Sequence, residues 1–154
     1  MGLSEFIKPS SILFFDSKKR DEVLESLAEI VVKTKPFLSK YKLLDAVIQR
    51  ERIVSTGLGG AVALPHAKID QLQEFVIALA ICKGSGVEWN ALDGEPVKFI
   101  FMILGPTAEQ KAYLKLLSDL TVLIRQERFL KSIAVASDAE MVCKIIHQYD
   151  RASL

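Results

Sequence analysis

The chain is poor in the residues that build metal centres and disulfide frameworks. Among 154 residues there are two cysteines and two histidines. Cys82 and Cys143 lie in apolar surroundings with no CxxC or Cys/His spacing. They read as buried free thiols of a reducing cytosol. No HExxH or other ligand spacing surrounds His66 or His147, so no metal site is expected. Charge of one sign is also lacking. Twenty basic residues against nineteen acidic ones leave a net charge of +1, which argues against a bulk nucleic-acid or membrane-surface binder. Long hydrophobic runs are absent as well. FVIALAIC (75–82) and FIFMIL (99–104) are far too short to cross a bilayer. The start, MGLSEFIKPS, has no long apolar h-region, and Phe6 stands where a myristoylation signal needs a hydroxyl. Neither a secretory signal nor a lipid anchor is expected, and the reading is cytoplasmic.

What is present is the composition of a globular domain. Half of the residues are hydrophobic and a quarter are charged. No repeat, low-complexity tract or linker divides the chain, so residues 1–154 read as a single domain. ILFF (12–15) reads as an early strand. Asp16 or Ser17 is expected to cap a helix in which Val23, Leu24, Leu27, Ile30 and Val31 recur at helical spacing, with Pro36 stopping it. Ser39 caps a second helix with Leu43, Leu44, Val47 and Ile48 on one face. AVAL (61–64) is a short strand, FVIALAIC and VKFIFMIL are buried strands, and VEW (87–89) is an edge. EQKAYLKLLSDLTVLI is an amphipathic helix expected to turn Leu114, Leu117 and Leu120 inward and leave Tyr113 at the rim. Two more helices follow, the last capped by Ser137 or Asp138. The order predicts an α/β domain: a mixed, mostly parallel sheet of about five strands with helices on both faces.

One stretch carries chemistry: STGLGGAVALPHAKI (55–69). Its glycines do not complete GxGxxG, because Val62 holds the last position. The loop follows a helix and enters a strand, the reverse of a nucleotide fingerprint. Gly57, Gly59 and Gly60 suit a tight turn, or a nest of backbone N–H groups for an anion such as phosphate, with Ser55 and Thr56 adding hydroxyls. His66 is read either as a satisfied histidine at a strand end or as a nucleophile. Pro65 fixes the backbone beside it, and neutral imidazole, with a pKa of about 6.5, is a competent nucleophile at neutral pH. Beside an anion-binding loop, that chemistry is phosphoryl transfer to nitrogen. Arg50, at the end of the preceding helix, is placed either to neutralise phosphoryl oxygens or to pair with a carboxylate in solvent. No GxSxG elbow supports a serine hydrolase. Glu88, Trp89 and Asp93 read as an edge and a hairpin turn. His147 reads as a histidine near a helix end.

RERIVSTGLGGAVALPHAKI closely resembles the active-site signature of the phosphotransferase-system (PTS) enzyme IIA domains of the fructose/mannitol class, roughly RE…STGIGNGIAIPHGK. VEWNALDGEPVKFIFMILGP and ASDAEMV are similar to the same family's later segments, so essentially the whole chain is covered. Free-standing domains of this kind most resemble the nitrogen-regulatory IIA protein. The resemblance implies a phosphocarrier that takes phosphate onto His66 from an HPr-type carrier. It then passes the group to a IIB domain or signals to a target by its phosphorylation state. Arg50 matches the active-site arginine, and Ser55, Thr56, Gly57 and Gly59 match the loop. No cofactor is implied. The sequence departs from the pattern at Gly60, Ala61 and Ala67, and above all at Tyr113, where the family usually has a second active-site histidine. A phenol donates one hydrogen bond but is no cation at pH 7. The other readings that stand are a sugar-specific IIA feeding a separate IIB, and a binding module that has lost transfer.

Overall fold

The computed structural model describes residues 2–152, without the side chains of the last two. Strands β1 (Ile12–Phe15), β2 (Gly57–Gly59), β3 (Val62–Ala63), β4 (His66–Lys68), β5 (Val76–Cys82) and β6 (Phe99–Gly105) form one mixed sheet. Its order is β1-β5-β6-β3-β2, with β4 also pairing β6. The pairs β1/β5, β3/β6 and β4/β6 are parallel, whereas β5/β6 and β2/β3 are antiparallel. The helices are α1 (Arg20–Thr34), α2 (Lys40–Ile53), α3 (Gln110–Ile124), α4 (Glu127–Val135) and α5 (Ala139–Ala152). Among the described residues, no helix is long and apolar enough to cross a membrane.

Two apolar cores lie on opposite sides of the sheet. Alternation along β5 and β6 sorts their side chains between the cores. Ala78, Ala80, Ile100, Met102 and Leu104 face α1 and α2 through Val23, Leu27, Leu43 and Val47. Ile77, Leu79, Ile81, Phe101 and Ile103 face the C-terminal helices through Leu120, Phe129, Ile133 and Val142. Both central strands are therefore covered on each face, which is why their sequences read as unbroken apolar runs.

Several local expectations need correction. Neither Asp16 nor Ser17 caps α1: the N-cap is Lys19, whose N–H donates to the Glu22 carboxylate at 2.8 Å. The reach-back of an acidic residue three positions on outcompetes the upstream side chains. Ser39 does cap α2, accepting from the Lys42 N–H, and Asp138 caps the last helix, accepting from the Met141 N–H at 2.8 Å. VEW contributes a single antiparallel bridge, Val87 with Val97, and no strand. In α3 the inward face is Tyr113, Leu116, Leu120, Leu123 and Ile124, with Leu114 exposed and Leu117 partly buried. The helix is rotated so that the phenol, the larger apolar payload, goes inside. Cys82 is buried, Cys143 half-buried, and both are free thiols.

The end of β6 is shaped to admit two aromatic rings. A Cβ on Gly105 would lie 2.5 Å from Phe75 Cε1 and 3.3 Å from Tyr113 Cδ2. Gly105→Ala should therefore overpack this layer, lowering stability by about 1–3 kcal/mol in chemical denaturation. An unchanged midpoint would show that the rings have room to yield.

Candidate functional site

The site forms where the strand line beside β6 is interrupted. β3 and β4 both run parallel to β6, Val62 opposite Phe99 and His66 opposite Ile103, with Leu64 and Pro65 between them. Pro65 has no N–H to give, but its carbonyl accepts from the Ile103 N–H at 2.9 Å. Leu64 turns the other way: its N–H donates to the Thr56 carbonyl at 3.1 Å. Its own carbonyl accepts a hydrogen bond from His66 Nδ1 at 2.9 Å. A carbonyl oxygen only accepts, so Nδ1 carries the proton. In the neutral ring the lone pair is then on Nε2.

The imidazole is half-buried, standing edge to face with the Tyr113 ring at 5.9 Å between centroids. Tyr113 stacks in the same manner on Phe75 at 5.7 Å. Tyr113 is 4% exposed, and its hydroxyl has no hydrogen-bond partner among the described residues. Burial pushes its pKa well up, only partly opposed by Arg50, so the phenol is a neutral donor. Burial is also the main cause lowering the His66 pKa below its ordinary value. The Leu64 carbonyl opposes that shift; the Arg50 charge adds to it and the Glu51 charge opposes it. Arg50, on the last turn of α2, is close enough to act on both rings, while its Nη1 donates to the Val54 carbonyl at 3.0 Å.

His66, Arg50 and Tyr113 are thus brought together. The loop residues are nearby but differently employed. The Ser55 hydroxyl donates to the Trp89 carbonyl at 2.8 Å and accepts from the Gly57 N–H at 3.1 Å. The Thr56 hydroxyl donates to Glu51 at 2.5 Å. Both hydroxyls hold the loop. Gly59 and Gly60 sit at φ +93° and +62°, followed by Ala61 at +70°, a left-handed run that reverses the chain between β2 and β3. The Gly60 N–H donates to Asp93 at 3.0 Å, and a Cβ on Gly59 would touch the same carboxylate. Asp93, read as a hairpin residue, pins this turn; the hydrogen bonds from the Glu95 and Gly60 N–H groups hold its pKa low. His147 stands apart on α5, exposed, with Nδ1 3.4 Å from Ser4 Oγ. Among the described residues no group of histidine, cysteine or carboxylate side chains could hold a metal ion.

Sequence reasoning missed Glu51, Trp89 and Phe75 as parts of the site. Glu51 is 3% exposed and binds both Thr56 and Trp89. The clue was a glutamate on the inner side of the α2 pattern, next to Leu43 and Val47.

This arrangement defines a class: an α/β domain presenting one orientated, neutral imidazole beside an arginine and a buried phenol. The family profile described as "Phosphoenolpyruvate-dependent sugar phosphotransferase system, EIIA 2" matches residues 5–149, and the chain belongs to this family. The fructose-specific EIIABC component of Bacillus subtilis is 29% identical over 98% of this chain, which spans 24% of that protein's length. A nitrogen regulatory protein of Pseudomonas aeruginosa is 30% identical over 84% of this chain and 82% of its own. The crystal structure of the nitrogen regulatory protein IIA-Ntr from Neisseria meningitidis superposes with a TM-score of 0.86. It is 28% identical and covers 94% of this chain and 98% of its own.

The lowered pKa has a thermodynamic consequence. Unfolded histidine titrates at about 6.5 and folded His66 lower, so the unfolded chain binds the extra proton first. The stability this contributes is present above about pH 6.5 and is lost as pH falls through the folded value. Wild type minus His66→Gln, compared by urea denaturation between pH 8 and pH 5, should isolate this slope. Parallel curves would mean that His66 titrates alike in both states.

Proposed function

We propose that the protein is a phosphocarrier of the phosphoenolpyruvate-dependent phosphotransferase system, phosphorylated on Nε2 of His66 by an HPr-type protein in the cytoplasm, and that it acts as a regulatory IIA of the nitrogen type. The observation that carries the reading is the Nδ1–H to Leu64 carbonyl bond, which leaves Nε2 with its lone pair. In the reaction, that lone pair forms a bond to phosphorus as the donor P–N bond breaks. The donor imidazole leaves with the electron pair. Arg50 meets the phosphoryl charge, and Tyr113 offers a neutral hydrogen bond. Gly57 and Gly59 let the loop lie close against Ala91 and Asp93, where a side chain would be crowded. A regulatory role is favoured by the similarity to nitrogen regulatory proteins over most of both chains. The second reading, a sugar-specific IIA passing phosphate to a separate IIB, draws on the fructose-specific relative.

Incubation with labelled phosphoenolpyruvate, enzyme I and HPr should give acid-labile phosphate on the wild type and none on His66→Ala, with His147→Ala labelled normally. Arg50→Ala should be labelled about tenfold more slowly, with little change in stability. Normal labelling of His66→Ala would sink the assignment.

Tyr113→Phe should move two quantities in opposite directions. It removes a buried hydroxyl that lacks a protein partner, so the unphosphorylated protein should be more stable by about 1 kcal/mol. It also removes a donor to the phosphoryl group, so phospho-His66 should hydrolyse a few-fold faster. Equal hydrolysis rates in wild type and variant would place Tyr113 outside phosphoryl recognition.

A further inference from the structure

Glu51 is a buried carboxylate with no cation paired to it. It is 3% exposed, and no salt bridge of the described residues includes it. Its Oε2 accepts the Thr56 N–H at 2.6 Å and the Trp89 indole N–H at 3.2 Å, and its Oε1 accepts the Thr56 hydroxyl at 2.5 Å. Two of those donors have no other polarity, so the carboxylate serves as an acceptor. Burying an anion is costly unless donors converge on it, and here three do.

The bonds continue from Thr56 to the reacting ring. The Thr56 carbonyl accepts the Leu64 N–H at 3.1 Å, and the Leu64 carbonyl accepts His66 Nδ1–H at 2.9 Å. Two residues, Thr56 and Leu64, therefore connect the carboxylate to the imidazole without a gap. Trp89 ties in a second segment, because its carbonyl holds the Ser55 hydroxyl. The charged and titratable groups acting on the ring come from two helices. Arg50 and Glu51 belong to α2 and Tyr113 to α3, while the strand partner Ile103 is apolar. On the ring's own strand, Lys68 is engaged with Gln110.

We infer that Glu51 is a positioning residue for His66: it holds the imidazole with Nδ1 protonated and Nε2 free through Thr56 and Leu64, and it supplies the ring with the field of a buried anion. The field matters during transfer. When the Nε2 lone pair becomes an N–P bond, Nδ1 keeps its proton and the ring turns cationic. Arg50 is repelled by that charge and Glu51 attracted to it, in line with the opposed directions in which they move His66 titration. A neutral amide would hold the loop equally well but would not supply that attraction.

Glu51→Gln separates the two contributions. The amide oxygen takes the Thr56 and Trp89 N–H groups, and the amide nitrogen donates to the Thr56 oxygen once that hydroxyl rotates. Shape and connections survive, and the charge is lost. Nitrogen-15 NMR of the unphosphorylated protein reads ring tautomer and titration without any phosphotransferase chemistry. The expected result is an unchanged Nδ1–H tautomer and a His66 pKa below that of the wild type. Phosphoramidate serves as a partner-free donor: its P–N bond breaks as the Nε2–P bond forms, and ammonia departs with the electron pair. Phosphorylation of Glu51→Gln should be about fivefold slower, the worth of about one ordinary hydrogen bond. Glu51→Ala should in addition let both tautomers appear; if it fails to fold, the isosteric glutamine still decides. Wild-type titration and wild-type rate in Glu51→Gln would overturn the inference. A titration shift with no phosphorylation of even the wild type, by phosphoramidate or by phospho-HPr, would leave the positioning intact and remove the phosphocarrier reading on which only the rate depends.

Discussion

The site depends on one break in a strand line. β3 and β4 would be a single strand along β6 but for Pro65, and the break decides what the neighbouring groups bond to. In an extended chain the N–H and C=O of one residue point to the same side. At Leu64 that side faces β2, and its N–H is taken by Thr56. Its carbonyl gets no ladder bond in return, because the Thr56 N–H opposite it donates to Glu51 instead. A buried, unpaired carbonyl is costly, and the imidazole two residues on satisfies it. The demand for a hydrogen bond thus fixes the tautomer. A histidine in a regular edge strand would have its backbone satisfied by the ladder and its ring free to rotate.

The rest of the fold supplies a rigid wall behind that ring. β6 is covered on both faces and paired on both sides, so Ile103 and Gly105 have little freedom. The missing Cβ at Gly105 lets Phe75 and Tyr113 stand against the sheet end, and Tyr113 in turn stands against His66. The ring is thereby held through Nδ1 and by the aromatic contact, while α2 brings a cation near enough to act on its titration. The pressure on its titration follows from the same facts. Burial lowers its proton affinity and favours the neutral ring with its lone pair on Nε2.

Much of this was legible in the sequence, for identifiable reasons. Strands β5 and β6 announced themselves because burial on two faces demands unbroken apolar runs. His66 stood out because Pro65 fixes the backbone beside it and because it ends a glycine-rich run suited to an anion. The errors lie where two residues compete for one role. At α1 three side chains could reach the first turn, and Glu22 won from within the helix. On α3 the leucine spacing fits two rotations of the helix about 100° apart, and only the layer beneath it, opened at Gly105, selects the one that buries Tyr113. The Ser55 hydroxyl reads as a ligand's donor because a short stretch does not reveal an acceptor distant in the chain, and Trp89 lies 34 residues beyond it; the Thr56 acceptor, Glu51, is five residues back, and only the burial of its carboxylate on α2 brings it to the hydroxyl.

Tyr113 shows why the departure from the two-histidine pattern is physically tolerable. A second imidazole beside His66 would raise the problem of two bases sharing a half-buried space with Arg50, each suppressing protonation of the other. A phenol avoids that conflict. It brings a larger ring surface to the apolar layer, and its pKa is pushed further from neutrality by burial. It therefore presents one fixed donor at any physiological pH. What it gives up is the cation. On the proposed phosphocarrier reading, the positive charge facing a phosphoryl group would come from Arg50 alone among these three residues, and the phosphorylated state would be held by one charge-assisted partner instead of the two that a second histidine would provide. A carrier built this way would hold its phosphate less firmly. The consequence depends on what reads the site: for onward transfer a looser hold favours departure, whereas for a signal it shortens the lifetime of the mark.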